Sequence, residues 1–88
     1  MNRQDRLLLH AIFARPMPQD LDRAAVFGAL EAAGADVAPG RCGQVVVRMN
    51  DYMHAFKARP ACLAEEEVKA IWKLLVLADL IPARDCPL

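Results

Sequence analysis

Between Gln44 and Lys57 the chain reads Gln-Val-Val-Val-Arg-Met, then Asn-Asp, then Tyr-Met-His-Ala-Phe-Lys. A run of β-branched valine, a polar pair and a second run with two aromatics form the pattern of a β-hairpin. Asn50 and Asp51 both tolerate the positive φ that a type I′ turn demands. A two-residue turn fixes the register, so Met49 faces Tyr52, Val47 faces His54, Val45 faces Phe56 and Gln44 faces Lys57. Alternation then sorts the side chains. Val45, Val47, Met49, Tyr52, His54 and Phe56 share a face predicted to be core, and Gln44, Val46, Arg48, Met53, Ala55 and Lys57 share a face predicted to be wet.

The rest of the chain supplies helices to cover that sheet. Residues 2–14 carry Leu8 with Ile12 and Leu9 with Phe13 at i, i+4 spacing, which predicts a helix stopped by Arg15-Pro16-Met17-Pro18. Asp20 or Asp22 caps a second helix through about Ala33, with Val26, Leu30 and Ala33 as its buried stripe beside Phe27, and Gly34 as its C′ residue. A short strand over Ala35–Ala38 precedes the loop Pro39-Gly40-Arg41-Cys42-Gly43. After the connector Ala58–Leu63, a helix runs from Ala64 to about Leu80 and ends at Pro82. Glu65, Glu66 and Glu67 fall in its first turn, where the helix dipole favours negative charge. The predicted class is α+β, a three-stranded antiparallel sheet covered by helices, as one domain over residues 1–82 with a tail over 83–88.

The last helix carries two apolar stripes. Val68, Ile71, Trp72, Leu75 and Asp79 form one, apolar until its end, and Ala70, Leu74, Leu77 and Ile81 form the other. One stripe covers a sheet; two make the helix apolar over most of its circumference. Leu74, Leu77 and Ile81 therefore meet either the N-terminal helix or an external hydrophobic partner.

Charge narrows the function classes. Eleven basic residues balance eleven acidic ones, so no global basic field marks the chain for nucleic acid, although a local patch is compatible with neutrality. Three cysteines without C-x-x-C spacing, with only His10 and His54 beside them, match no zinc template and imply no metal or cofactor. The N-terminal residues do not read as a signal peptide, and no apolar run reaches the ~18 residues of a membrane span. The expected setting is the reducing cytoplasm.

Several short motifs recur in a shared order. They are Leu9-His10-Ala11-Ile12-Phe13-Ala14-Arg15-Pro16 with Pro18, then Val26, Leu30, Gly34-Ala35-Asp36-Val37, Gly40-Arg41, Val45-Val46-Val47 and Ala55-Phe56. In this order and spacing, over about residues 7–80, the chain resembles HicA-type toxins, whose layout is that of double-stranded-RNA-binding domains. The resemblance implies a ribonuclease neutralised by a cognate antitoxin, but the chain departs from the family at its active site. The Gly-Ser-His or Gly-Ser-Arg step entering the second strand is Gly43-Gln44 here, after Cys42. The His-rich segment ending the third strand is Lys57-Ala58-Arg59-Pro60-Ala61. Near the end of the last helix, Ala-Gly has become Ala78-Asp79.

His54 is then the one histidine near the family's site, and its register places it under the helices as a structural rather than a catalytic residue. His10, on the terminal helix, reads as a residue without a catalytic role. Cys42, beside Arg41, has no histidine placed to activate it and reads as a loop cysteine. Arg41, Gln44, Arg48, Lys57 and Arg59 gather on or near the wet face, where they suit phosphate or an acidic protein surface. The sequence thus favours a non-catalytic HicA-like binder of a protein or ribonucleoprotein complex, an inhibitor or regulator such as an anti-CRISPR protein, with RNA a further partner class. An mRNA-cleaving toxin is the alternative.

Overall fold

The structure, a computed structural model, describes residues 2–14, 18, 21–57 and 61–85. Helix α1 (Arg3–Phe13) and helix α2 (Arg23–Ala32) precede strands β1 (Asp36–Pro39), β2 (Gln44–Met49) and β3 (Tyr52–Lys57); helices α3 (Glu65–Leu77) and α4 (Pro82–Asp85) follow. The strands form one antiparallel sheet in the order β1-β2-β3. This is the α+β class that the pattern implies.

Local chemistry sets the helix starts. Asn2 Oδ1 accepts from the Asp5 N–H at 2.8 Å, and Asp5 accepts from the Asn2 N–H at 3.4 Å, a reciprocal cap at α1. Asp22 does the same work for α2, accepting from the Ala25 N–H at 2.9 Å. Of the two aspartates proposed for that cap it is Asp22 that serves, and Asp20 lies outside the described residues. Ala64, at the start of α3, has no capping side chain, so Glu67 reaches back to accept the Ala64 N–H at 3.2 Å.

Two helices end in the same motif. After α2, the Ala35 N–H returns to Leu30 O and the Gly34 N–H to Glu31 O, with Gly34 at φ 106°. After α3, the Leu80 N–H returns to Leu75 O and the Asp79 N–H to Val76 O, with Asp79 at φ 59°. Both are Schellman caps, and the second places a residue with a Cβ where glycine is favoured. α3 therefore stops at Leu77, three residues short of the predicted end, because Asp79 reverses the chain before Pro82 is reached. Residues 83–85 of the predicted tail belong to α4 and are tied back to the end of α3. Arg84 donates to Asp79 O at 2.7 Å and pairs with Asp85, while Asp85 accepts the Ile81 N–H at 2.9 Å. The Arg84 guanidinium, and next the Ile81 N–H, hold the Asp85 carboxyl down at about 2.

The hairpin has the predicted register throughout, including Val47 opposite His54 and Gln44 opposite Lys57. Its turn differs. Only Asn50 takes positive φ, at 56°, so the pair does not form the type I′ turn that its residues permit. Asn50 Nδ2 instead donates to Ala78 O at 2.9 Å and fastens the hairpin tip to the end of α3. β1 lies one residue later than predicted and pairs Val37 with Val47 and Ala38 with Val46.

α2 packs on β1, α3 packs on β3, and α1 lies against α2, α3 and α4. Leu9, Ile12, Val26, Leu30, Val47, Val68, Ile71 and Leu75 are fully buried between these layers. Phe13 meets Trp72 edge-on, with ring centroids 6.4 Å apart. The N-terminal helix thus completes the core.

Relieving the left-handed strain at Asp79 is expected to stabilise the fold. Asp79→Gly keeps the backbone carbonyl that Arg84 uses and loses only the exposed ion pair of the Asp79 carboxylate with Arg84, 3.4 Å apart, so it should raise unfolding free energy by up to about 0.5–1 kcal/mol in urea melts. An equal loss on that substitution would show that the Asp79 side chain matters more than its φ.

Candidate binding surface

The outer face of the sheet is laid out in rows across the strands. At one end Gln44 stands opposite Lys57. In the middle Val46 lies between Ala38 and Ala55, and at the far end Arg48 lies between Asp36 and Met53. All but Val46 are exposed, and Met53 is 68% accessible. A short apolar strip is therefore flanked by an amide and cation on one side and by a charge pair in register on the other. Asp36 offsets the charge of Arg48 locally, and at the other end of the face the charge of Lys57 acts on Glu67.

The β1–β2 connection borders the same face. Gly40 donates to Gln44 O at 2.7 Å, and a Cβ added to Gly40 would stand 2.9 Å from a methyl of Val46. This close approach half-buries Val46 and brings the exposed Arg41, in a single 3₁₀ turn over Arg41–Gly43, to the rim of the face. Cys42 and Gly43 take positive φ, 56° and 72°, to return the chain to β2. Of the five residues proposed for the wet face, Gln44, Arg48 and Lys57 share it and Arg41 borders it. Arg59 lies outside the described residues.

His54 does not lie under the helices as predicted; it is exposed. The register is right, but α3 covers the inner face of β3 only at the Phe56 end. Beside His54 the helix presents the small Ala70, which leaves a cleft open. One part, about 310 Å³, is lined by His54, Phe56, Lys57, Glu66, Glu67 and Ala70. The next, about 240 Å³, is lined by Tyr52, Met53, His54, Ala70, Lys73 and Leu77. The His54 ring lies 4.5 Å from that of Phe56, and its Nδ1 is 2.9 Å from Ala55 O.

The second stripe of the last helix is split. Leu74 is in the core at 4% exposure, Leu77 is 48% exposed in the cleft, and Ile81 is half-buried beyond the helix end. The three form no common surface, because α3 stops at Leu77 and the reversal at Asp79 takes Ile81 off the stripe. The exposed apolar residues that do gather are Tyr52, Met53 and Leu77.

The polar residue that ties these surfaces to the core is Arg23, which the sequence reading missed. Its side chain is only 4% exposed, and it forks onto both oxygens of Glu67 while donating to Lys57 O at 2.7 Å. Beside it, the Arg23 N–H donates to Ala61 O and the Leu63 N–H to Leu21 O. A signal was available. Arg23 stands three residues before Val26 and seven before Leu30, on the buried stripe of α2, and an arginine there needs a paired acid. Glu67, first explained by the helix dipole alone, is that acid.

Among the described residues no cluster of three or more His, Cys, Asp or Glu side chains is arranged to hold a metal ion. No described helix is long and apolar enough to cross a membrane. Cys42 and Cys62 are exposed free thiols, and Cys86 lies outside the described residues. Comparison with protein-family models, curated proteins and solved structures finds no match.

The Arg23 fork holds the Glu67 carboxyl below the usual glutamate range, against an opposing effect of burial. A lowered folded-state value stabilises above the unfolded value, and that stabilisation is lost as pH falls through the lowered one. Thermal melts between about pH 7 and pH 3 should therefore show Glu67→Gln less stable at neutral pH, by about 1–3 kcal/mol, with a flatter acid limb than wild type. Parallel acid limbs would show that other carboxylates govern the acid transition.

Proposed function

We propose that this chain is a HicA-like binding protein without the family's catalytic centre, an inhibitor or regulator that engages a protein or ribonucleoprotein partner through the outer sheet face. The observation that carries this reading is the pairing of Gln44 with Lys57 on an open face. In the resemblance to HicA toxins, these two strand ends bring the catalytic histidines together. Here they bring together an amide and a lysine, which donate well to phosphate or carboxylate but supply no imidazole to act as a base. The apolar strip of Ala38, Val46 and Ala55 beside them supplies contact area, as the centre of an interface requires.

The toxin reading is kept alive by His54. A carbonyl can only accept, so the Nδ1 contact with Ala55 O leaves Nε2 of the neutral ring as the acceptor a general base needs. Because His54 is exposed, lack of access does not count against it. Its register nevertheless sets it on the face opposite Gln44, although it lines one cleft with Lys57.

Two measurements separate the readings. Purified protein is expected to leave mRNA intact and its expression to leave growth unaffected; cleavage abolished by His54→Ala would establish the nuclease instead. A partner copurified from the native host should lose at least about tenfold in affinity to Arg41→Glu combined with Lys57→Glu, and should also weaken with salt. The melting temperature should hardly change, since exposed substitutions rarely cost more than ~0.5 kcal/mol. Binding that survives both the charge reversal and high salt would move the interface off this face.

A further inference from the structure

The two edges of the sheet are unequally protected. β1 has four residues and ends on Pro39, whereas β3 has six, without a proline. Beside β3 the inner-face residues Tyr52 and His54 are exposed, and so is Met53 on the outer face. A long edge strand with exposed apolar neighbours is a template for another strand. The turn at Asn50-Asp51 closes on the pair Met49–Tyr52, and the alternation of an antiparallel ladder then directs the N–H and C=O of Tyr52, His54 and Phe56 toward β2. Those of Met53 and Ala55 point out of the open edge; the Ala55 carbonyl, 2.9 Å from His54 Nδ1, keeps a second lone pair, and the Lys57 carbonyl is taken by Arg23.

We infer that β3 pairs with β3 of a second copy of this chain, antiparallel about a two-fold axis at His54, to give a continuous six-stranded sheet. In that register Met53 exchanges backbone hydrogen bonds with the second copy's Ala55, and the reverse. Tyr52 stands across from the second copy's Phe56, and Asp51 from the second copy's Lys57, so the one cation of the strand meets an acid. Every pair occurs twice, as a two-fold interface requires.

The helix beside the strand is self-complementary under the same axis. Glu66, Ala70, Lys73 and Leu77 lie at i, i+4, i+7 and i+11 on α3 and line the clefts along β3. Ala70 and His54 line both clefts, so the axis that passes His54 also passes near Ala70. Its small side chain permits close approach of two antiparallel helices. Glu66, one turn to one side, then stands near the second copy's Lys73, about one turn to the other. Strand and helix select the same axis by charge, which favours a second copy over an extended segment of an unrelated protein.

The register is testable by cross-linking. Residues facing each other in a non-hydrogen-bonded antiparallel pair have Cα atoms about 4.5 Å apart, within disulfide range. In full-length protein with Cys42, Cys62 and Cys86 replaced by serine, His54→Cys should oxidise to a covalent dimer in high yield, and Met53→Cys should not. Sedimentation of the wild type should show a concentration-dependent dimer. Ala55→Pro removes an N–H that faces the open edge; it should raise the dimer dissociation constant at least about tenfold with an unchanged circular dichroism spectrum. Glu66→Lys should weaken the dimer, and Glu66→Lys with Lys73→Glu should restore it. A wild type that remains monomeric up to about 1 mM, or a dimer that His54→Cys fails to cross-link, would overturn the proposal. A monomer that binds extended peptides along β3 would assign the edge to an external segment instead.

Discussion

A nearly buried guanidinium holds the molecule's layers together. Arg23 opens α2, and its fork takes both oxygens of Glu67 on α3 together with the last carbonyl of β3. Three elements distant in sequence thus converge on one planar group. Bidentate, charge-assisted bonds of this kind fix direction as well as distance, and a lone charge in the same place would be strongly destabilising. The short backbone pairing of Leu21–Arg23 with Ala61–Leu63 lies beside the fork and closes the same junction. Asn50 performs a lesser version at the opposite end, tying the hairpin tip to Ala78.

With both ends of β3 fastened to α3, the space between them is set by the side chains that line it. Phe56 fills one end; at Ala70 there is too little side chain to cover His54 and Tyr52. The result is an open cleft along an edge strand, next to an outer face that no described helix covers. The binding surface and the pairing edge both follow from how this one strand is held. Glu67 is 17% exposed, so the junction stands close to solvent, with its carboxyl held below the usual glutamate range by Arg23.

Much of this was legible in sequence. The valine-rich run, the Asn-Asp pair and the aromatic return fixed the hairpin register, because alternation leaves only one way to bury Val45, Val47 and Phe56 together. Gly34 marked a helix end for the same steric reason. What the pattern could not supply was how far the helices extend over the sheet. His54 was assigned to the core by its face, yet exposure at an edge depends on the neighbouring helix, here on the size of Ala70. The stripe of Leu74, Leu77 and Ile81 assumes a helix reaching Ile81; Asp79, of a residue type that tolerates positive φ, ends it earlier. The Arg23–Glu67 pair was missed because the helix dipole is a sufficient local explanation for Glu67; Arg23 on a buried stripe calls for an acid, but only tertiary structure shows which one.

The central role of Arg23 is most directly tested by a double-mutant cycle on folding stability, using wild type, Arg23→Met, Glu67→Met and the combined variant in urea melts. Coupling through the fork predicts that the double variant loses less than the sum of the singles, by about 1–3 kcal/mol, since removing one partner strands the other. Losses that add to within about 0.5 kcal/mol would contradict it, and would mean that the layers are held by apolar packing alone.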